Sequence, residues 1–148
     1  MTTTAARLDR DAVVRTAADL ADLQRQVAVL AIDELTEQVW RAALGRVEGE
    51  ALRAVAAVYR DFGRDHPGRS DAIAHAGLDD EVADHGRRLA EAVRAVFRSF
   101  GLDDERAAVA HGVFSATVIG LVRTDRGYVT LEDAVALFEV GLASGEWP

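Results

Sequence analysis

Apolar residues recur at Val13, Ala17, Leu20, Leu23, Val27 and Leu30, then at Leu35 and Val39. This places them close to one face of a helix with 3.6 residues per turn. Neither Gly nor Pro falls between Asp9 and Leu44, and Asp9 suits an N-cap with Asp11 in the first turn. The pattern predicts one long first helix, about 50 Å if unbroken at 1.5 Å per residue, stopped by Gly45. Leu52, Val55, Val58, Tyr59 and Phe62 form the stripe of a second helix over 48–66. His66-Pro67-Gly68 ends it, because the residue before Pro disfavours the α region. A short helix over 70–76 follows. Gly77-Leu78-Asp79-Asp80-Glu81 and Gly101-Leu102-Asp103-Asp104-Glu105 then share one form. Gly stops a helix, Leu packs back on it, and Asp caps the next one with acids at its positive end. Helices over 80–100 and 104–123 result. Thr130 and Asp133 resemble a capping box, with Asp in place of the usual Glu, and open a last helix to about Ser144. Residues 146–148 read as a frayed tail. The chain reads as all-α, with about six helices.

Composition narrows the picture. The 148 residues suit one domain, and 49% of them are hydrophobic, which argues against disorder. Cysteine is absent, so disulfides and thiolate metal sites are excluded. Every basic side chain but histidine is Arg. The net charge of −8 lacks the basic footprint that neutralises nucleic-acid phosphates. No secretory signal opens the chain, and the apolar run 113–122 falls short of the roughly 20 residues that span a bilayer. A cytoplasmic protein with no membrane partner is the expectation.

The chemistry-bearing residues are few. His66, His75, His85 and His111 show no helical metal-site spacing, so no metal or cofactor is expected. Asp71 with His75, and Glu81 with His85, are spaced as solvated helix pairs. The four serines sit in no nucleophile elbow and no glycine-rich phosphate loop occurs, so an enzyme is not expected. Tyr59, Phe62, Phe97, Phe114 and Thr117 suit either a cavity between the middle helices or ordinary core. His111 stands on an otherwise apolar face, as a hydrogen-bonded core histidine or as a polar handle in that cavity. Arg94 and Arg98 read as surface partners of Glu91. The run 109–122 is apolar on most sides, with Gly112, Ala116 and Gly120 four residues apart. It is either a buried central helix or an interface, since a helix apolar all round must be covered.

Several stretches together resemble the TetR family of transcriptional regulators. Residues 8–18 are similar to its opening helix, and residues 20–28 to the linker helix that leaves its DNA-binding head. Residues 51–62 followed by His66-Pro67-Gly68-Arg69 resemble the first long helix and turn of its WHG-type C-terminal domain, and His111-Gly112-Val113-Phe114 resembles that group's His-Gly signature. The resemblance implies an all-helical bundle that binds a small apolar effector. Tyr59, Phe62, Phe97, His111, Phe114 and Thr117 are the pocket candidates. It also implies a homodimer whose last two long helices form a four-helix bundle with the partner. Gly112, Ala116, Ile119 and Gly120 would carry that interface, together with Leu131, Val135, Leu137, Phe138 and Leu142. The family places a helix-turn-helix, which enters the DNA major groove, between the two N-terminal stretches. Here nothing separates them. Either that pair of helices is missing at a junction near Asp22, or residues 8–18 match by chance. The division expected is a remnant of the DNA-binding head over 1–22 and an effector-binding, dimerising body over 23–148. A repressor is the expectation, with operator DNA a partner only where the head is present. A DNA-binding-deficient ligand-binding dimer, or a purely structural helical dimer, is the alternative.

Overall fold

The computed structural model describes the backbone of residues 2–76, 79–124 and 129–146, and the side chains of those from residue 19 onward. It holds six helices and, among the described residues, no strand. They are α1 (Thr2–Ala43), α2 (Glu48–Asp65), α3 (Pro67–His75), α4 (Asp80–Arg98), α5 (Asp104–Thr124) and α6 (Leu131–Ala143). The all-α fold follows the sequence pattern.

The helix ends follow local chemistry. Gly45 takes φ +73 and Gly101 φ +86, where a side chain would be strained. The Asp79 carboxylate accepts the backbone N–H groups of Glu81 and Val82, capping α4. Asp103 does the same for Arg106 at the start of α5. Thr130 and Asp133 form the reciprocal capping box of α6. The Thr130 backbone N–H, and then its hydroxyl, hold the Asp133 carboxyl below its ordinary range. Gly77 and Leu78, the first of the two matched stops, lie outside the described residues, as do residues 125–128 and the end of the tail.

Two boundaries differ from expectation. α1 is one 42-residue helix, about 60 Å long at 1.5 Å per residue, which runs unbroken through Asp9 and Asp22. Asp9 therefore does not cap it. Pro67 is the first residue of α3 rather than the end of a turn, because its fixed φ and missing N–H suit the N1 position.

The core gathers on α5. Phe114 has no exposed surface and meets Tyr59, Phe97 and Phe138 edge-on, at ring-centroid distances of 6.0, 5.7 and 5.9 Å. Leu52, Val55, Val93 and Val118 close around these rings. α1 packs against α4, α2 and α3 through Ala28, Ile32, Leu35 and Val39. Gly63 lets α2 approach α5 so closely that a Cβ there would fall inside the Val122 side chain.

Two substitutions check this packing. Phe114→Ala should lower stability by about 3–5 kcal/mol in denaturant unfolding, far more than an exposed truncation. Gly63→Ala should destabilise even though Ala favours helix by about 1 kcal/mol, and Val122→Ala should relieve it. A Gly63→Ala protein as stable as the parent would contradict the close approach.

Candidate functional site

A cavity of about 250 Å³ lies among α1, α2, α3, α4 and α5. Its wall is mainly apolar: Leu35 from α1, Phe62 from α2, Ile73 from α3, Leu89 from α4, and Val118 and Val122 from α5. Ala74, Ile119 and Arg123 line it while remaining exposed, and they mark its mouth. Polar groups are sparse. Tyr59, Ser70, His111 and Ser115 reach the wall. Arg123 stands at the mouth, 3.7 Å from Asp71.

Three of the six pocket candidates, Tyr59, Phe62 and His111, line this cavity. The other three do not. Phe97 and Phe114 are fully buried in the core cluster, where their rings pack on each other. The Thr117 hydroxyl donates back to the Val113 carbonyl within α5. Thr117 and Phe114 are turned about α5 from the line of His111, Ser115, Val118 and Val122, since each residue advances about 100°. The contributions of α1, α3 and α4 went unforeseen. Leu35, Ile73, Gly86 and Leu89 are ordinary apolar or small positions, and no residue type separates a cavity wall from a core.

Burial, and after it the charge of Arg94, holds the His111 imidazole below its ordinary value of 6.5. No hydrogen bond satisfies either His111 or the Tyr59 hydroxyl among the described residues, and burial pushes the Tyr59 phenol up. Arg98 forms the surface pairs expected of it, with Glu91 and Asp104 at 2.7 Å each. Arg94 does not. Its Nε is buried with no hydrogen-bond partner. His75 bonds to the Asp71 carbonyl, and His85 sits 2.6 Å from Asp33 on α1 rather than on Glu81. No metal-ligating group of three occurs among the described residues.

The outer surface of α5 and α6 is apolar and uncovered. Val109, Val113 and Ile119 are about half exposed, and Leu137 and Val140 are 72% and 69% exposed. Gly112, Ala116 and Gly120 are exposed between them. Leu131, Val135, Phe138 and Leu142, placed at the interface by the sequence, are instead buried in the protomer's own core against α2 and α5. α6 turns its other side, with Leu137 and Val140, outward. By length and composition α5 could cross a bilayer, which the shorter run 113–122 did not suggest. Only the side bearing Ala107, Ala110, Phe114 and Val118 is buried within the bundle.

A histidine whose folded-state proton affinity is lowered costs stability as pH falls. The unfolded chain takes the proton at about pH 6.5, and the folded chain only at lower pH. Stability should therefore fall with pH through the window below about 6.5 and be unaffected by His111 above it. Urea midpoints should drop less for His111→Gln than for the parent between about pH 7 and 5. Parallel curves would contradict the burial of an uncharged imidazole.

Residues 52–144 match the family model described as tetracyclin repressor-like, C-terminal domain. Over 106 residues the chain is 35% identical to an uncharacterized HTH-type transcriptional regulator of Mycobacterium tuberculosis, a stretch that covers 70% of this chain and 49% of that protein. The chain thus spans about half the length of the curated relative it matches. The residues that match the family model run from within α2 to just past α6. The chain belongs to the tetracyclin repressor-like family of transcriptional regulators, with residues 52–144 as its C-terminal domain.

Proposed function

We propose that this chain is the sensing and dimerising body of a repressor, occupied by a small and mainly apolar effector. The observation that carries this is the make-up of the cavity wall. It joins α1, through Leu35, to α5, whose opposite side is the uncovered apolar face. A ligand between them touches both the helix that carries residues 2–22 and the helix that would meet a partner. At about 250 Å³ the cavity sits just under the usual range of about 300–1,000 Å³ for drug-sized ligands. Its effector is accordingly small.

In this mechanism a second copy covers the outer faces of α5 and α6. Gly112, Ala116 and Gly120 supply close approach, while Val109, Val113, Leu137 and Val140 supply apolar area. Residues 1–22 belong to the side that carries the DNA-reading head in the whole regulator, and operator DNA is a partner through that head. Ligand binding shifts α1 only to the extent that the ligand prefers one arrangement of the helices over another. The cytoplasm, where DNA is accessible, is the expected compartment.

Light scattering at micromolar concentration should give twice the 15.9 kDa chain mass. Ala116→Arg should give the single-chain mass with unchanged helicity, because position 116 is exposed in the protomer. A monomeric parent, or an Ala116→Arg dimer, would remove the proposed interface.

A further inference from the structure

We infer that the cavity selects an uncharged, largely apolar molecule with one oxygen acceptor, which the Tyr59 hydroxyl binds. This rests on the reading of the cavity as the effector site and adds the class of effector. Three observations support it. First, Tyr59 lines the cavity and its hydroxyl has no hydrogen-bond partner among the described residues. A hydrocarbon filling the cavity would seal that donor unpaired against an apolar wall, so a ligand that accepts from it is favoured over a hydrocarbon of the same shape. Second, among the described residues no carboxylate lines the wall, and the one charged residue there, Arg123, is exposed at the mouth opposite Asp71. A charged ligand would lose its water without gaining a counter-ion, which strongly disfavours it. Third, the other polar liners, His111, Ser70 and Ser115, add no charge, since His111 is held neutral near pH 7 by burial and by Arg94.

Size follows from volume. At the packing density of a protein interior, about 0.75, the 250 Å³ cavity holds roughly a dozen non-hydrogen atoms. A two-ring aromatic with a carbonyl group is of this size. Arg94 is the rival anchor. Its Nε is buried and unpartnered, and its charge reaches His111. It does not line the cavity, however, so an acid would have to displace its surroundings to reach it.

Three matched probes test the class: naphthalene, acetylnaphthalene and naphthoate, titrated calorimetrically into the parent and into Tyr59→Phe, which keeps the ring packed on Phe114. Acetylnaphthalene should bind the parent roughly 3- to 10-fold more tightly than naphthalene, the worth of one neutral hydrogen bond. Tyr59→Phe should erase that difference and leave naphthalene unchanged. Naphthoate should bind weakest. Equal affinities of acetylnaphthalene and naphthalene for the parent, or a preference that survives Tyr59→Phe, would overturn Tyr59 as the anchor. Naphthoate binding tightest, with the preference lost in Arg94→Gln, would replace the uncharged class by an anionic one and leave the effector cavity standing. No binding of any probe would overturn the effector cavity itself, and this inference with it.

Discussion

Phe114 is the contact on which the arrangement of this molecule depends. It is fully buried and touches a ring from each of α2, α4 and α6. Edge-to-face pairs of this kind are worth about 0.5–1.5 kcal/mol each beyond their buried area. Fixing that one side chain fixes the rotation of α5. With about 100° between successive residues, the rest of the helix is then assigned. His111, Ser115, Val118 and Val122 look into the cavity, whereas Val109, Gly112, Val113 and Ala116 look outward. The apolar surface of α5 exceeds what its own chain covers, and this excess gives the proposed dimer its face.

α1 is joined to the rest in a different way. Its buried positions are mostly small or β-branched: Ala28, Ala31, Ile32 and Val39, with Leu35 alone reaching the cavity. Around them run polar contacts. Arg69 on α3 pairs with Glu34 at 2.5 Å, Arg25 lies 3.8 and 3.6 Å from Asp79 and Glu81, and His85 on α4 hydrogen-bonds Asp33. Exposed pairs contribute only about 0–1 kcal/mol each, so they set the register of α1 more than its hold. Its attachment therefore rests on these buried apolar contacts. In the proposed mechanism Leu35 is where a ligand meets the helix.

The helix boundaries were largely legible in the sequence, because single residues carry them. Asp79 and Thr130 cap, and Gly45 and Gly101 take the left-handed conformation that stops a helix. The order of α2 to α6 and the family were legible for the same reason, through the helix break at His66-Pro67 and the His111-Gly112 pair. The facing of α6 was not. Leu131, Val135, Phe138 and Leu142 lie inside while Leu137 and Val140 lie outside, and an apolar helix has no polar stripe to mark its outer side. The cavity was half legible for a related reason. Tyr59 and His111 stand out by chemistry, but Leu35, Ile73 and Leu89 differ from core residues only in what they face.

In the proposed dimer the outer face of α5 is covered by a second copy of the chain. The parent sequence contains no cysteine, so a single Ala116→Cys gives an unambiguous probe. Its rate of modification by a small maleimide should be followed against protein concentration, with Arg88→Cys as a control on the exposed side of α4. Modification at position 116 should be slow in the dimer and rise to the control rate on dilution. Modification of position 116 at the control rate at every concentration would contradict it.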